Sequence, residues 1–203
     1  MKAVVLDWGG VLALEPTEEA RARVSALCGH AADGFEAVWA AHRLAYDCAE
    51  LTAAEYWRRT GLGDDAALEA VLAADADAWS RPNLGLVGWP AELKAAGFRT
   101  GLLSNMPREI WERLGPAFEP WLAPCDELTL SFELGIGKPD ERIYRHCLAR
   151  LGVEPHEALF VDDRAENVEA ARAVGMEAVR YTSVDALREE LAERFAGRVP
   201  APR

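Results

Sequence analysis

Residues 2–7, Lys-Ala-Val-Val-Leu-Asp, make a continuous apolar run closed by a carboxylate. A run without alternation suits a strand covered on both faces, and Trp8-Gly9-Gly10 ends it. Four further runs, Phe98–Leu103, Glu127–Leu130, Ala158–Val161 and Ala178–Tyr181, alternate with helical spacings near 88–97, 107–114, 139–151, 164–174 and 184–195. Strands alternating with helices predict an α/β fold: a doubly wound, Rossmann-like parallel sheet of five or more strands.

Residues 17–80 depart from this rhythm. They are Ala-rich, keep helical spacing (Val24, Leu27; Val38, Trp39, Leu44; Leu68, Val71, Leu72) and contain no strand-like run. Asp33-Gly34, Gly61-Leu62-Gly63 and Arg81-Pro82-Asn83 punctuate them. The pattern predicts about four helices inserted after the first strand, dividing the chain into a core of 1–16 and 82–203 and a helical insertion of 17–81. Two prolines in Gly197–Arg203 predict a frayed tail.

Composition narrows the function. The 203 residues hold 22 Lys+Arg against 34 Asp+Glu, a net charge of −12. Such a polyanion repels nucleic-acid phosphates and anionic lipid, so neither is an expected partner. Cys28, Cys48, Cys125 and Cys147 form no C-x-x-C pair, which reads as reduced thiols rather than a disulfide framework or zinc site. The run Ala3–Leu6 is far shorter than a signal sequence's apolar region of ~7–15 residues, and no stretch reaches the ~20 of a membrane span. A soluble, cytoplasmic protein is expected.

Ligands of open parallel sheets bind beyond the carboxyl ends of the strands. Asp7 follows the first predicted strand, Ser104-Asn105 the second, Gly135-Ile136-Gly137-Lys138-Pro139 the third and Asp162-Asp163 the fourth. Ser104, Asn105 and Asp163 could each simply cap the next helix. Lys138, however, is one of three lysines against 19 arginines, so a Lys there suggests a demand for a compact ammonium. Adjacent Asp162 and Asp163 near Asp7 would repel one another without a cation, and three hard oxygen donors suit Mg²⁺. The Gly-x-Gly-Lys segment is no P-loop, since Phe132 takes the first Gly position and Pro139 that of Ser/Thr. The seven tryptophans, among them Trp57, Trp79 and Trp89, are expected to pack the core and the interface with the insertion.

Val-Val-Leu-Asp7-Trp-Gly-Gly-Val-Leu, Leu-Leu-Ser104-Asn105, Gly-Ile-Gly-Lys138-Pro139-Asp-Glu-Arg-Ile-Tyr and Phe-Val-Asp162-Asp163-Arg-Ala-Glu-Asn167 resemble, in order, the four motifs of the haloacid dehalogenase-like (HAD) hydrolases. The helical insertion resembles the small all-helical cap of the subgroup that contains the dehalogenases and many sugar-phosphate phosphatases. The resemblance implies a phosphatase acting on a small phosphorylated metabolite. Asp7 would be the nucleophile that forms an aspartyl-phosphate. Ser104, the Asn105 backbone and Lys138 would hold the phosphoryl oxygens, with Lys138 also neutralising Asp7. Mg²⁺ would bind Asp7, the Gly9 carbonyl and the Asp162/Asp163 pair. The spacing to Asn167 favours Asp163 for direct ligation.

One position departs from the pattern. The family's phosphatases usually carry a second Asp two residues after the nucleophile as general acid and base, and here that residue is Gly9. General acid–base help is worth about 10²–10⁴-fold. Glu15, His42, Tyr46 or Asp47 could substitute, the leaving group could need little protonation, or the protein could bind a phosphorylated ligand without turnover. His42 and Tyr46, with Arg43 beside them, are the expected substrate-selecting residues if the cap folds over the rim. A metal-independent 2-haloacid dehalogenase is the further alternative, disfavoured by two carboxylates beside an anionic substrate.

Overall fold

In the computed structural model, which describes residues 1–30 and 35–203, five strands form one parallel sheet. They are β1 (Ala3–Leu6), β2 (Arg99–Ser104), β3 (Glu127–Leu130), β4 (Ala158–Asp162) and β5 (Glu177–Arg180), in the order β3-β2-β1-β4-β5. Val4 and Val5 of β1 align with Thr100 and Gly101 on one side and with Leu159 and Phe160 on the other. The order reverses at β1, so the crevice beyond its carboxyl end is the switch point where such sheets take ligands.

The unalternating apolar strands are explained by cover on both faces. Val4 and Leu6 point into one apolar cluster with Trp8, Leu102, Ile110, Phe118 and Leu159. Ala3 and Val5 point into another with Leu103, Ile143, Tyr144, Phe160 and Val168. Between the strands lie α6 (Trp89–Ala95), α7 (Arg108–Leu122), α8 (Ser131–Leu134), α9 (Glu141–Leu151), α10 (Ala165–Val174) and, last, α11 (Val184–Phe195), numbered after the five helices of the insertion. Asp140 caps α9 by accepting from Arg142 N at 2.9 Å, and Gly152 and Gly175 close α9 and α10 in left-handed conformation.

The insertion contributes α1 (Glu18–Leu27), α2 (Phe35–Ala41), α3 (Arg43–Asp47), α4 (Ala53–Arg59) and α5 (Leu68–Ala78). Thr17 caps α1, and Thr52 with Glu55 forms a capping box on α4. Its apolar side chains gather in a cluster of their own, around Val24, Phe35, Trp39, Tyr46, Tyr56, Trp57 and Val71.

Three expectations need correction. α7 runs to Leu122, past Pro116 and Pro120, because Ile110, Leu114, Phe118 and Leu122 bury one face at four-residue spacing; that burial outweighs the two missing N–H groups. The tail is docked rather than frayed: Trp89 Nε1 donates to Pro200 O at 2.8 Å, Arg188 Nε to Pro202 O at 3.0 Å, and Val199 is buried. The insertion has five α-helices and a short 3-10 helix (Asp65–Ala67) among the described residues, rather than about four helices. The expected break at Asp33-Gly34 lies outside the described residues. All four cysteines are free thiols, and no helix among the described residues is long and apolar enough to cross a membrane.

Candidate active site

Asp7 is the first residue beyond β1. Its N–H donates to Val161 O at 3.0 Å, continuing the sheet's bonding, and its Oδ1 accepts from Trp8 N at 2.7 Å. The chain then turns sharply through Gly10, whose φ of 73° is left-handed. A Cβ there would stand 2.6 Å from the carboxyl carbon of Asp163, so only glycine lets the turn approach β4 this closely. Asp162 ends β4 and is fully buried, while Asp163, just beyond, is half-buried.

Lys138 reaches this cluster from the loop after α8. Its Nζ lies 2.7 Å from Asp7 Oδ1 and 2.7 Å from Asp162 Oδ2. Asn105 fixes that loop: Lys138 N donates to Asn105 Oδ1 at 2.7 Å, and Asn105 Nδ2 donates to Lys138 O at 2.9 Å. The Asn105 side chain therefore holds Lys138 in place, and Asn105 and the buried Ser104 at the end of β2 both line the cavity above this cluster.

Three carboxylates cluster at one ammonium, which pairs with two of them. Asp162 is held below the usual carboxylate range: its burial is outweighed by Lys138, the Arg164 backbone N–H at 2.9 Å and Asn167 Nδ2 at 2.9 and 3.1 Å. Burial pushes Asp7 well up, Lys138 pulls it back, and the charge on Asp162 pushes it up again. Asp163 is raised to about 6 by burial, Asp162 and Glu15, and it has no ion pair among the described residues. Asn167 thus engages Asp162 and not Asp163. One oxygen from each of Asp7, Asp162 and Asp163 lies within 4.8 Å of the others. This excess of hard, buried negative charge over one cation fits a divalent ion with oxygen ligands.

Above the cluster is an inner cavity of about 150 Å³, lined among others by Asp7, Gly9, Ser104, Lys138, Asp47 and Trp79. It opens into an outer cleft of about 400 Å³ bounded by Arg21, Glu36, Trp39, Leu44 and Glu166. Asp7, Ser104, Asn105, Lys138, Asp163 and the Gly9 backbone are thus brought together, with Asp162 directly behind. His42 and Tyr46 are not. His42 precedes α3 and is exposed; Tyr46 is buried in the insertion with its hydroxyl donating to Glu109 Oε2 at 3.0 Å. Arg43 and Asp47 of the same helix line the cavity instead.

Asp75 and Trp79 are near-cavity and cavity residues that the sequence pattern did not single out for function, whereas Arg43, expected beside His42 and Tyr46, does line the cavity. Arg43 Nε donates to Asp47 Oδ1 at 2.8 Å, its Nη1 reaches the fully buried Asp75 at 3.2 Å, and its guanidinium lies 5.8 Å from the centroids of Trp39 and Tyr46. The i, i+4 spacing of Arg43 and Asp47 is the sequence signal for their ion pair. Trp79 lines the cavity, whereas Trp57 and Trp89 are core residues as expected.

The sequence pattern of the haloacid dehalogenase-like hydrolases matches residues 1–175, and the chain belongs to that family. The (S)-2-haloacid dehalogenase 1 of Pseudomonas sp. (strain CBS-3) is 30% identical over 175 residues, 77% of this chain and 74% of that protein. The sesquiterpene phosphatase astK of Aspergillus oryzae is 33% identical over 102 residues, 50% of this chain. These residues are 52% of astK, so the chain spans about half the length of that relative. A variant of the HAD family enzyme bt-2542 from Bacteroides thetaiotaomicron, solved with magnesium and inorganic phosphate, is 20% identical with a TM-score of 0.77. The match covers 90% of this chain and 94% of that one, and it speaks for the shared fold.

Proposed function

We propose that the protein is a magnesium-dependent phosphomonoester hydrolase of a small phosphorylated metabolite, working through an aspartyl-phosphate on Asp7. The observation that carries this reading is Lys138 Nζ set 2.7 Å from both Asp7 and Asp162, with Asp163 left without an ion pair among the described residues. Lys138 orients the Asp7 carboxylate and receives phosphoryl oxygens beside Ser104 and the Asn105 backbone. Asp7 attacks phosphorus, the leaving oxygen departs with its electron pair, and water later releases phosphate from Asp7. Asp7, Asp163 and the Gly9 carbonyl would hold Mg²⁺, with Asp162 completing the acidic set; when bound, the ion supplies positive charge that offsets the carboxylates and the phosphoryl group. Residues 17–81 act as a cap over a core of 1–16 and 82–203, in a cytoplasmic protein, and the small inner cavity suits a metabolite better than a protein substrate.

The test is hydrolysis of p-nitrophenyl phosphate with and without Mg²⁺, beside Asp7→Asn. Turnover requiring both Mg²⁺ and Asp7 supports the proposal. Mg²⁺-dependent binding of inorganic phosphate with no turnover would favour a binding protein. The similarity to a haloacid dehalogenase favours one second reading, metal-independent halide release from a 2-haloacid, which a chloride assay without metal would reveal.

A further inference from the structure

Gly9 is not an empty place for a missing acid. A Cβ built on Gly9 stands 2.9 Å from Trp79 Cζ3, and the indole lines the same inner cavity. The ring occupies the space into which a side chain at position 9 would project. An Asp there would have to displace it, so proton transfer in this chain must come from another wall of the cavity.

The structure sorts the remaining titratable groups. His42 is exposed and outside the cleft, and the Tyr46 hydroxyl is engaged by Glu109. Glu15 reaches the cavity rim, but its side chain is 51% exposed and ion-paired with Arg21 at 2.8 Å. Asp47 is buried and lines the inner cavity with Asp7. Its place relative to the core is fixed by its own backbone. Ser131 Oγ donates to Asp47 O at 2.5 Å and accepts from Met106 N at 2.9 Å, one residue beyond Asn105. Leu44 and Cys48, flanking Asp47, also touch the loop before Lys138: a Cβ on Gly137 would meet them at 2.8 and 2.9 Å. Arg43 grips Asp47 through Oδ1, and Oδ2 has no hydrogen bond among the described residues.

We infer that Asp47 is the general acid and base of this enzyme, replacing the group that Trp79 excludes from position 9; the inference rests on the phosphatase reading above. As Asp7 bonds to phosphorus, the ester P–O bond breaks and its electron pair goes to the leaving oxygen, which takes the proton of Asp47. The resulting Asp47 carboxylate then takes a proton from water as that oxygen bonds to phosphorus, the bond to Asp7 breaks, and phosphate leaves. Burial raises the Asp47 carboxyl while Arg43 lowers it. The net direction is upward, the direction a general acid requires.

The test compares kcat/KM for phenyl phosphate and p-nitrophenyl phosphate in the wild type, Asp47→Asn and Asp75→Asn. Phenolate is the more basic leaving group and needs the proton; kcat/KM stops at the first phosphoryl transfer, so loss of the base for water does not enter. Asp47→Asn is expected to lose about 10²-fold or more on phenyl phosphate and less than about tenfold on p-nitrophenyl phosphate, and the falling alkaline limb of the phenyl phosphate profile should disappear. Asp75→Asn removes the other carboxylate on Arg43 and should change the ratio of the two substrates far less than Asp47→Asn does. Gly9→Asp should restore the phenyl phosphate rate of Asp47→Asn only when Trp79→Ala is also present. An unchanged ratio in Asp47→Asn, or an equal change in Asp75→Asn, overturns the inference while the phosphatase reading stands. Absence of Asp7-dependent turnover of both esters in the wild type overturns both.

Discussion

Lys138 Nζ lies 2.7 Å from Asp7 Oδ1 and 2.7 Å from Asp162 Oδ2, an ammonium held between carboxylates from two neighbouring strands. All three groups are buried. Removing the cation while its partners stay buried is costly, on the order of 3–5 kcal/mol for a buried pair. Lys138→Met is therefore expected to abolish turnover and to lower metal-free stability by that order. Mg²⁺ should raise the melting temperature of this variant more than that of the wild type, because more negative charge is left uncompensated. Thermal denaturation with and without Mg²⁺ decides it, and a variant as stable as the wild type and indifferent to Mg²⁺ would contradict the charge account.

Ala49 ends the turn after α3 with φ 56°, in the left-handed region, where its N–H donates to Tyr46 O at 3.0 Å. An L-residue there costs roughly 1–2 kcal/mol, which glycine avoids, against some extra chain entropy in the unfolded state. Ala49→Gly is expected to stabilise the protein by about 1 kcal/mol, or ~2–4 °C in melting temperature for a chain of this size. Calorimetry measures it directly. A drop in melting temperature would show that the turn carries no strain.

Asp140 caps α9 directly after the Lys138 loop, and Arg142 holds its carboxyl down at about 2 through side-chain and backbone hydrogen bonds. A carboxylate depressed in the folded state stabilises fully above its unfolded pKa near ~3.9 and loses that contribution as pH falls toward the folded value. Asp140→Ala should cost about 0.5–2 kcal/mol at pH 7, as for other lost helix caps. The gap to wild type should hold at pH 5 and shrink at pH 3 in urea titrations. A gap that grows on acidification would reverse the sign and exclude this role.

The strand ends were legible because a fully buried strand must be apolar throughout, so Asp7 and Asp162 stand out where each run stops. The partners those carboxylates take were not. Adjacency cannot tell that Asn167 Nδ2 donates to both carboxylate oxygens of Asp162 and leaves Asp163 open. Of the residues expected at the rim from the insertion, Arg43 and Asp47 line the cavity. Arg43 pairs with both Asp47 and Asp75, while His42 and Tyr46, the residues with familiar catalytic chemistry, fall outside the cavity. Trp79 read as packing and does pack, but against Gly9, where the contact excludes a catalytic side chain. The prolines of α7 hid eight helical residues, because spacing at Phe118 and Leu122 counted for less in the sequence than Pro116 and Pro120.

The central claim is that Asp7 becomes phosphorylated. It is tested most directly by mixing the protein with p-nitrophenyl phosphate and Mg²⁺, quenching in acid within the first turnovers, and weighing the peptide that carries Asp7. The account requires one added phosphoryl group on that peptide, discharged with time and absent from Asp7→Asn. Turnover without any such adduct, or turnover that survives Asp7→Asn, would contradict it.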